Sequence, residues 1–247
     1  MNKISFIFLL IGATAFIAVD DFLSEQKKFS RVRTAISEKE AGIKKLLTPL
    51  GINTGNIHVL FVAYKEEKEL QVFVKKEGDT EYKKLKTYSI CASSGTLGPK
   101  RKMGDGQVPE GFYHVDRFNP NSNFYLSLGI NYPNASDKKL GKAGSLGGDI
   151  FIHGNCVTIG CIPITDDKIK EAYLLAVYAK NNGQAKIPVY LFPFKMTDAN
   201  MKKFEKENAG NTSLIAFWKN IKTGYDAFTK NNKALTFSVN SKGEYTF

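Results

Sequence analysis

One stretch constrains this chain more than any other: Asp149 to Thr165, which reads DIFIHGNCVTIGCIPIT. Ile150, Phe151 and Ile152 form a short apolar run of the kind that makes a buried strand, and His153-Gly154 ends it. Asn155 to Gly160 carry the chain round to Cys161. After Ile164 the pattern turns helical, with Thr165 at the N-cap position and Asp166 and Asp167 in the first turn. A histidine and a cysteine therefore meet in a tight strand-to-helix loop, eight residues apart (161 − 153 = 8).

A thiol beside an imidazole suits acyl transfer. The sulfur attacks, and the imidazole takes its proton or pairs with it as an imidazolium. Gly160, directly before Cys161, lets the backbone bend so that the amides of Ile159, Gly160 and Cys161 can face a developing oxyanion. The other two histidines sit inside apolar alternation without a local partner; His58 reads as a surface or edge side chain and His114 as structural.

The stretch resembles the signature of the YkuD-type L,D-transpeptidases, a His-Gly after a strand followed by Ser/Thr-x-Gly-Cys. The two parts here are His153-Gly154 and Thr158-Ile159-Gly160-Cys161. Their short spacing resembles the YafK-like branch, as do Ser94-Gly95-Thr96-Leu97-Gly98-Pro99-Lys100, the run from Gly104 to Tyr113, Tyr132-Pro133-Asn134, the run from Leu191 to Met196 and that from Phe217 to Lys222. Two positions depart from the pattern. Many such enzymes have a His just before Gly-Cys and an Arg two residues after the Cys, whereas Ile159 and Pro163 stand here.

The resemblance implies a peptidoglycan-remodelling cysteine acyltransferase with a role in cell shape. Cys161 is the nucleophile, His153 the base, Gly154 the residue whose carbonyl orients the imidazole, and Gly160 the bend behind the nucleophile. Thr158, Asn155, Tyr132 and Asn134 are the candidate substrate-binding residues. The reaction it implies is attack on an L,D peptide bond of a stem peptide and transfer of the thioester to an amine. The alternatives are an L,D-carboxypeptidase or amidase that hydrolyses the same bond, or one that releases a peptidoglycan-linked lipoprotein. Two readings from other classes stay open: a non-catalytic wall-binding module, and a structural zinc site built from Cys91, His153, Cys156 and Cys161. The reaction expected needs no cofactor and no metal.

Met1 to Val19 read as a signal peptide or an N-terminal anchor, with Lys3 before an apolar run and Ala13-Thr14-Ala15 offering small residues for cleavage. The expected location is outside the cytoplasm, in the periplasm or cell envelope, with membrane contact only through an uncleaved N-terminal segment. A formal net charge of +11 raises the question of nucleic acid. Export argues against that partner, and an anionic envelope suits a basic protein. An exported chain with three cysteines leaves one thiol over. If Cys161 stays free, Cys91 and Cys156 either pair or remain buried thiols.

Residues 20–50 read as a helical arm, because Phe29, Val32, Ile36, Ile43, Leu46, Leu47 and Leu50 recur at roughly helical spacing. Residues 51–247 read as the catalytic domain with a C-terminal helical extension. Ile57 to Tyr64 and Leu70 to Val74 look like a hairpin around Lys65-Glu66-Glu67-Lys68, and further strands are expected at 82–90, 111–118, 124–128 and 187–192. Residues 97–111 and 131–148 read as loops, and 166–180 as a helix. The expected class is mainly β with peripheral helices (α+β overall), with the barrel- or sandwich-like sheet packing that the resemblance implies.

Overall fold

The computed structural model describes residues 21–142 and 144–247. The expected export segment lies outside the described residues. The chain opens with helices α1 (Phe22–Lys27) and α2 (Ser30–Leu47). Strands β1 (Ile57–Tyr64), β2 (Glu69–Lys76), β3 (Lys83–Ser89), β4 (Gly111–Asn119) and β5 (Ser127–Ile130) follow. A short helix α3 (Ala135–Leu140) precedes β6 (Phe151–His153) and β7 (Ile162–Pro163). Helix α4 (Asp166–Asn181), strand β8 (Ile187–Phe192), helices α5 (Asp198–Glu207) and α6 (Thr212–Asn231), and the small pair β9 (Ser238–Val239) and β10 (Tyr245–Thr246) complete it.

Eight strands make one curled mixed sheet, in the order β3-β2-β1-β8-β4-β5-β6-β7. The hairpin β1–β2 is antiparallel as the sequence suggests, whereas β1–β8 and β6–β7 are parallel. The central strands are apolar on both faces because both faces are covered. In β1, Ile57, Val59, Phe61 and Ala63 join one core, and Leu60, Val62 and Tyr64 join a second. Helix α4 supplies Tyr173, Leu174 and Val177 to the first core, and α2 adds Val32, Ala35, Ile43 and Leu47. Each large side chain so buried contributes about 1.5–3 kcal/mol, so α2 is docked on the sheet rather than held off as a spacer. The second core is lined by α6, whose Phe217, Trp218, Ile221, Tyr225 and Phe228 form the stripe read from the sequence.

Three local readings change. The strand expected at 124–128 is β5, three residues later. The stretch 131–148 is not all loop. Asn134 caps α3 by accepting from the Asp137 amide, and Asp137 returns the bond to the Asn134 amide. Thr165 stands at the N-cap of α4 with φ +73° and makes no side-chain capping bond.

Candidate active site

The parallel register of β6 on β7 sets the site. Ile152 lies beside Ile162 and His153 beside Pro163. Ile152 and Ile162 both point into the first core. Alternation along a strand then turns their neighbours His153 and Cys161 to the other face of the pleat. His153 ends β6 and Cys161 directly precedes β7, so the pairing brings the two to one end of the strand pair.

His153 is fully buried, and Phe124 stacks on its ring with centroids 4.5 Å apart. Its Nδ1 lies 2.5 Å from the Gly154 carbonyl oxygen. A carbonyl only accepts, so Nδ1 carries the proton and the lone pair is on Nε2. That Nε2 is buried with no hydrogen-bond partner. Burial lowers the histidine pKa below 6.5, against the pull of the Gly154 carbonyl. The ring is therefore a neutral imidazole with an unused acceptor.

Cys161 is the free thiol, and its Sγ lies 3.6 Å from the Asp149 carbonyl. Burial pushes its pKa above 9.0, partly offset by a bond from the Phe151 amide and by Lys100. Both shifts favour the neutral forms, thiol and imidazole, over a thiolate and an imidazolium.

Glycine is required twice here. A Cβ on Gly154 would meet Asp166 Oδ1 at 2.5 Å and the Phe124 carbonyl oxygen at 2.7 Å. Gly160 has φ +136°, and a Cβ there would meet the Gln107 carbonyl oxygen at 3.0 Å. Cys91 and Cys156 are joined in a disulfide, with Cα atoms 5.5 Å apart. The four-ligand zinc arrangement is therefore not assembled, and no group of three or more metal-type side chains forms among the described residues.

The residues expected to touch substrate are placed otherwise. Thr158 Oγ1 accepts from the amides of Gly160 and Cys161, at 3.1 and 2.8 Å, and donates to the Cys161 carbonyl. It braces the loop, and it occupies two of the three amides expected to form an oxyanion hole. Asn155, at φ +60°, spends its Oδ1 on the Cys156 amide, and its own amide donates to Asp166 Oδ1. Tyr132 is buried with its hydroxyl on the Leu146 carbonyl, and Asn134 caps α3 and donates to the Phe112 carbonyl and the Tyr245 hydroxyl. Neither lines the cleft that holds Cys161.

That cleft, about 180 Å³, runs between the β1–β2 turn and residues 90–97, with Ala63, Val108, Ile162 and Leu191 as its apolar floor. Glu110 fixes one wall. Fully buried, it takes Lys65 Nζ at 2.9 Å, the Gly98 amide at 2.7 Å and Trp218 Nε1 at 2.9 Å. Phe124, Asp166 and Glu110 were not legible as site residues, since each acts on a partner distant in sequence. Of these only Glu110 falls in a stretch the sequence marks out, the 97–111 loop.

The family model of the L,D-transpeptidase catalytic domain (YkuD) matches residues 58–189. The candidate L,D-transpeptidase YafK of Escherichia coli K12 is 40% identical over 178 residues, covering 71% of this chain and 68% of the relative. Among solved structures, the helical cell shape determining protein Pgp2 of Campylobacter jejuni aligns at 20% identity over 78% of this chain and 79% of that one, with a TM-score of 0.44. L,D-transpeptidase 1 of Mycobacterium tuberculosis aligns at 16% identity over 55% and 62%, with a TM-score of 0.32.

Proposed function

The chain belongs to the L,D-transpeptidase catalytic domain family, and from that membership we propose that it is a cysteine acyltransferase acting on peptidoglycan stem peptides. One observation carries the mechanism: a buried Nε2 lone pair without a partner, on the same side of the β6–β7 pair as a free thiol. The Sγ proton passes to His153 Nε2 as sulfur bonds to the carbonyl carbon of an L,D peptide bond. The C–N bond then breaks, and Nε2 returns the proton to the departing amine. An incoming amine gives its proton to Nε2 as its nitrogen bonds to the thioester carbon; the C–S bond then breaks and Nε2 returns the proton to the sulfur.

In the resting arrangement Nε2 and Sγ are not bonded, so the thiol turns away from the Asp149 carbonyl when substrate enters, a common tightening on substrate binding. The oxyanion is received by the loop amides, with the Thr158 hydroxyl yielding its place. Residues 1–19 serve as the export signal or anchor that brings the domain to the wall.

The test is incubation of the protein with defined disaccharide tetrapeptides, followed by mass spectrometry of the products. A new cross-link through an amine supports transfer. Loss of the terminal residue with water incorporation assigns the hydrolytic reaction instead. Unchanged substrate, with correctly folded protein, overturns both.

A further inference from the structure

A second cavity, of about 440 Å³, shares no lining residue with the cleft of Cys161. Its floor is the β4–β8 pair. In that register Phe112 stands opposite Tyr190, and His114 opposite Pro188. Alternation along the strands puts these four on one face of the sheet. It is the face of the second core, to which Phe112 and Tyr190 belong. Residues 235–239 form another wall. The Leu235 amide donates to the Tyr190 hydroxyl at 2.8 Å, and Phe237 packs on Phe112 with ring centroids 5.5 Å apart. Leu235, Phe237 and Val239 line the cavity, and Phe237 stays exposed. A cavity of this size suits a small molecule.

Two basic side chains line the same cavity. Lys186, directly ahead of β8, is exposed, and His114 is half-buried. Among the described residues neither side chain enters a hydrogen bond or an ion pair. The two are neighbours: burial and then the Lys186 charge lower the His114 pKa below 6.5. No carboxylate lines the cavity. Asp116, whose charge also reaches His114, is bound by Arg117 Nε at 3.1 Å. An ammonium only donates, and a neutral imidazole donates through one N–H. Donors without an acidic partner suit an anion, and the apolar walls suit a hydrocarbon body. We propose that this cavity is a second ligand site, which takes a small amphipathic carboxylate. The carboxylate sits on Lys186 and His114, and the apolar body lies against Pro188, Leu235 and Phe237. The site does not depend on the acyl-transfer chemistry of Cys161.

The test titrates the full chain by calorimetry with decanoate and with N-acetylphenylalanine, which offer the same chemistry as a lipid chain and as an amino-acid end. Each is paired with an uncharged counterpart, 1-decanol and N-acetylphenylalaninamide. Saturable one-to-one binding of at least one carboxylate is expected, and the tighter of the two assigns the source. Its uncharged counterpart binds about tenfold more weakly, since a charge-assisted bond is lost. Lys186→Met closes that gap, Lys186→Arg keeps it, and His114→Leu narrows it. Thr236→Trp, which puts a bulky ring at a lining position, abolishes binding. Lys186 and Thr236 are both exposed, so these variants leave the core intact, and melting curves check it. Binding of neither carboxylate, equal affinity for a carboxylate and its uncharged counterpart, a gap that survives Lys186→Met, or binding undiminished in Thr236→Trp overturns the site. Cys161→Ala protein should bind the carboxylates as the unmutated chain does, so failure of this site and failure of acyl transfer are read separately.

Discussion

At the scale of residues the account turns on two neutral partners. Burial lowers the His153 pKa below 6.5 and raises that of Cys161 above 9.0. A base that stays deprotonated to lower pH than usual puts the acid limb of kcat/KM below 6.5, with a flat region through neutrality. Alkylation of the free enzyme by iodoacetamide should be slow at neutral pH and quicken only as pH rises past 9.0. Fast alkylation at neutral pH, with activity lost through an alkaline limb as the imidazolium deprotonates, would instead describe a preformed thiolate–imidazolium pair. His153→Ala should lower kcat by about 10²–10⁴-fold with little change in KM. The same burial has a stability consequence. Because the folded pKa of His153 lies below the unfolded one, the unfolded chain binds more protons between the two values. Stability is therefore full above 6.5 and falls as pH drops toward the lowered folded value.

At the scale of elements, the site depends on two clamps. The Cys91–Cys156 disulfide closes 65 residues and pins the loop that carries Cys161. Replacing both cysteines by serine should cost about 2–4 kcal/mol and reduce turnover while leaving Cys161 alkylation intact. Glu110 ties the β1–β2 turn, the loop ahead of β4 and α6 to one carboxylate. Glu110→Ala leaves the Lys65 ammonium and the Trp218 N–H without their acceptor, and a urea midpoint should show a loss of about 3–5 kcal/mol. These elements differ in how far they could be read in advance. The β1–β2 hairpin and α6 announce themselves through periodicity, because the core they bury is continuous. Helix α3 does not, since Ala135–Leu140 is six mostly polar residues held by the Asn134–Asp137 box. The proposed nucleophile and base could be picked out because Cys161 and His153 lie in one short stretch of the chain. The stacking of Phe124 on His153 could not, because only the fold brings the two rings together.

At the scale of the whole molecule, the sheet is packed on both sides, by α2 and α4 on one and by α5 and α6 on the other. The strand pair β6–β7 lies at one edge, with His153 ending β6 and Cys161 directly ahead of β7. A rigid interior with chemistry at its rim is an arrangement in which loops can hold a substrate without disturbing the core. No helix among the described residues is long and apolar enough to cross a membrane. With a formal charge of +11, the protein should bind isolated, negatively charged peptidoglycan more weakly as salt rises. The central claim is that acyl transfer passes through Cys161. Intact-protein mass spectrometry after acid quench of a reaction with a disaccharide tetrapeptide tests it most directly. The expected product is an adduct of the donor stem minus its departing residue, mapped to Cys161, removed by hydroxylamine and absent from Cys161→Ala. Turnover with Cys161 unmodified, or turnover retained by Cys161→Ala, would contradict it.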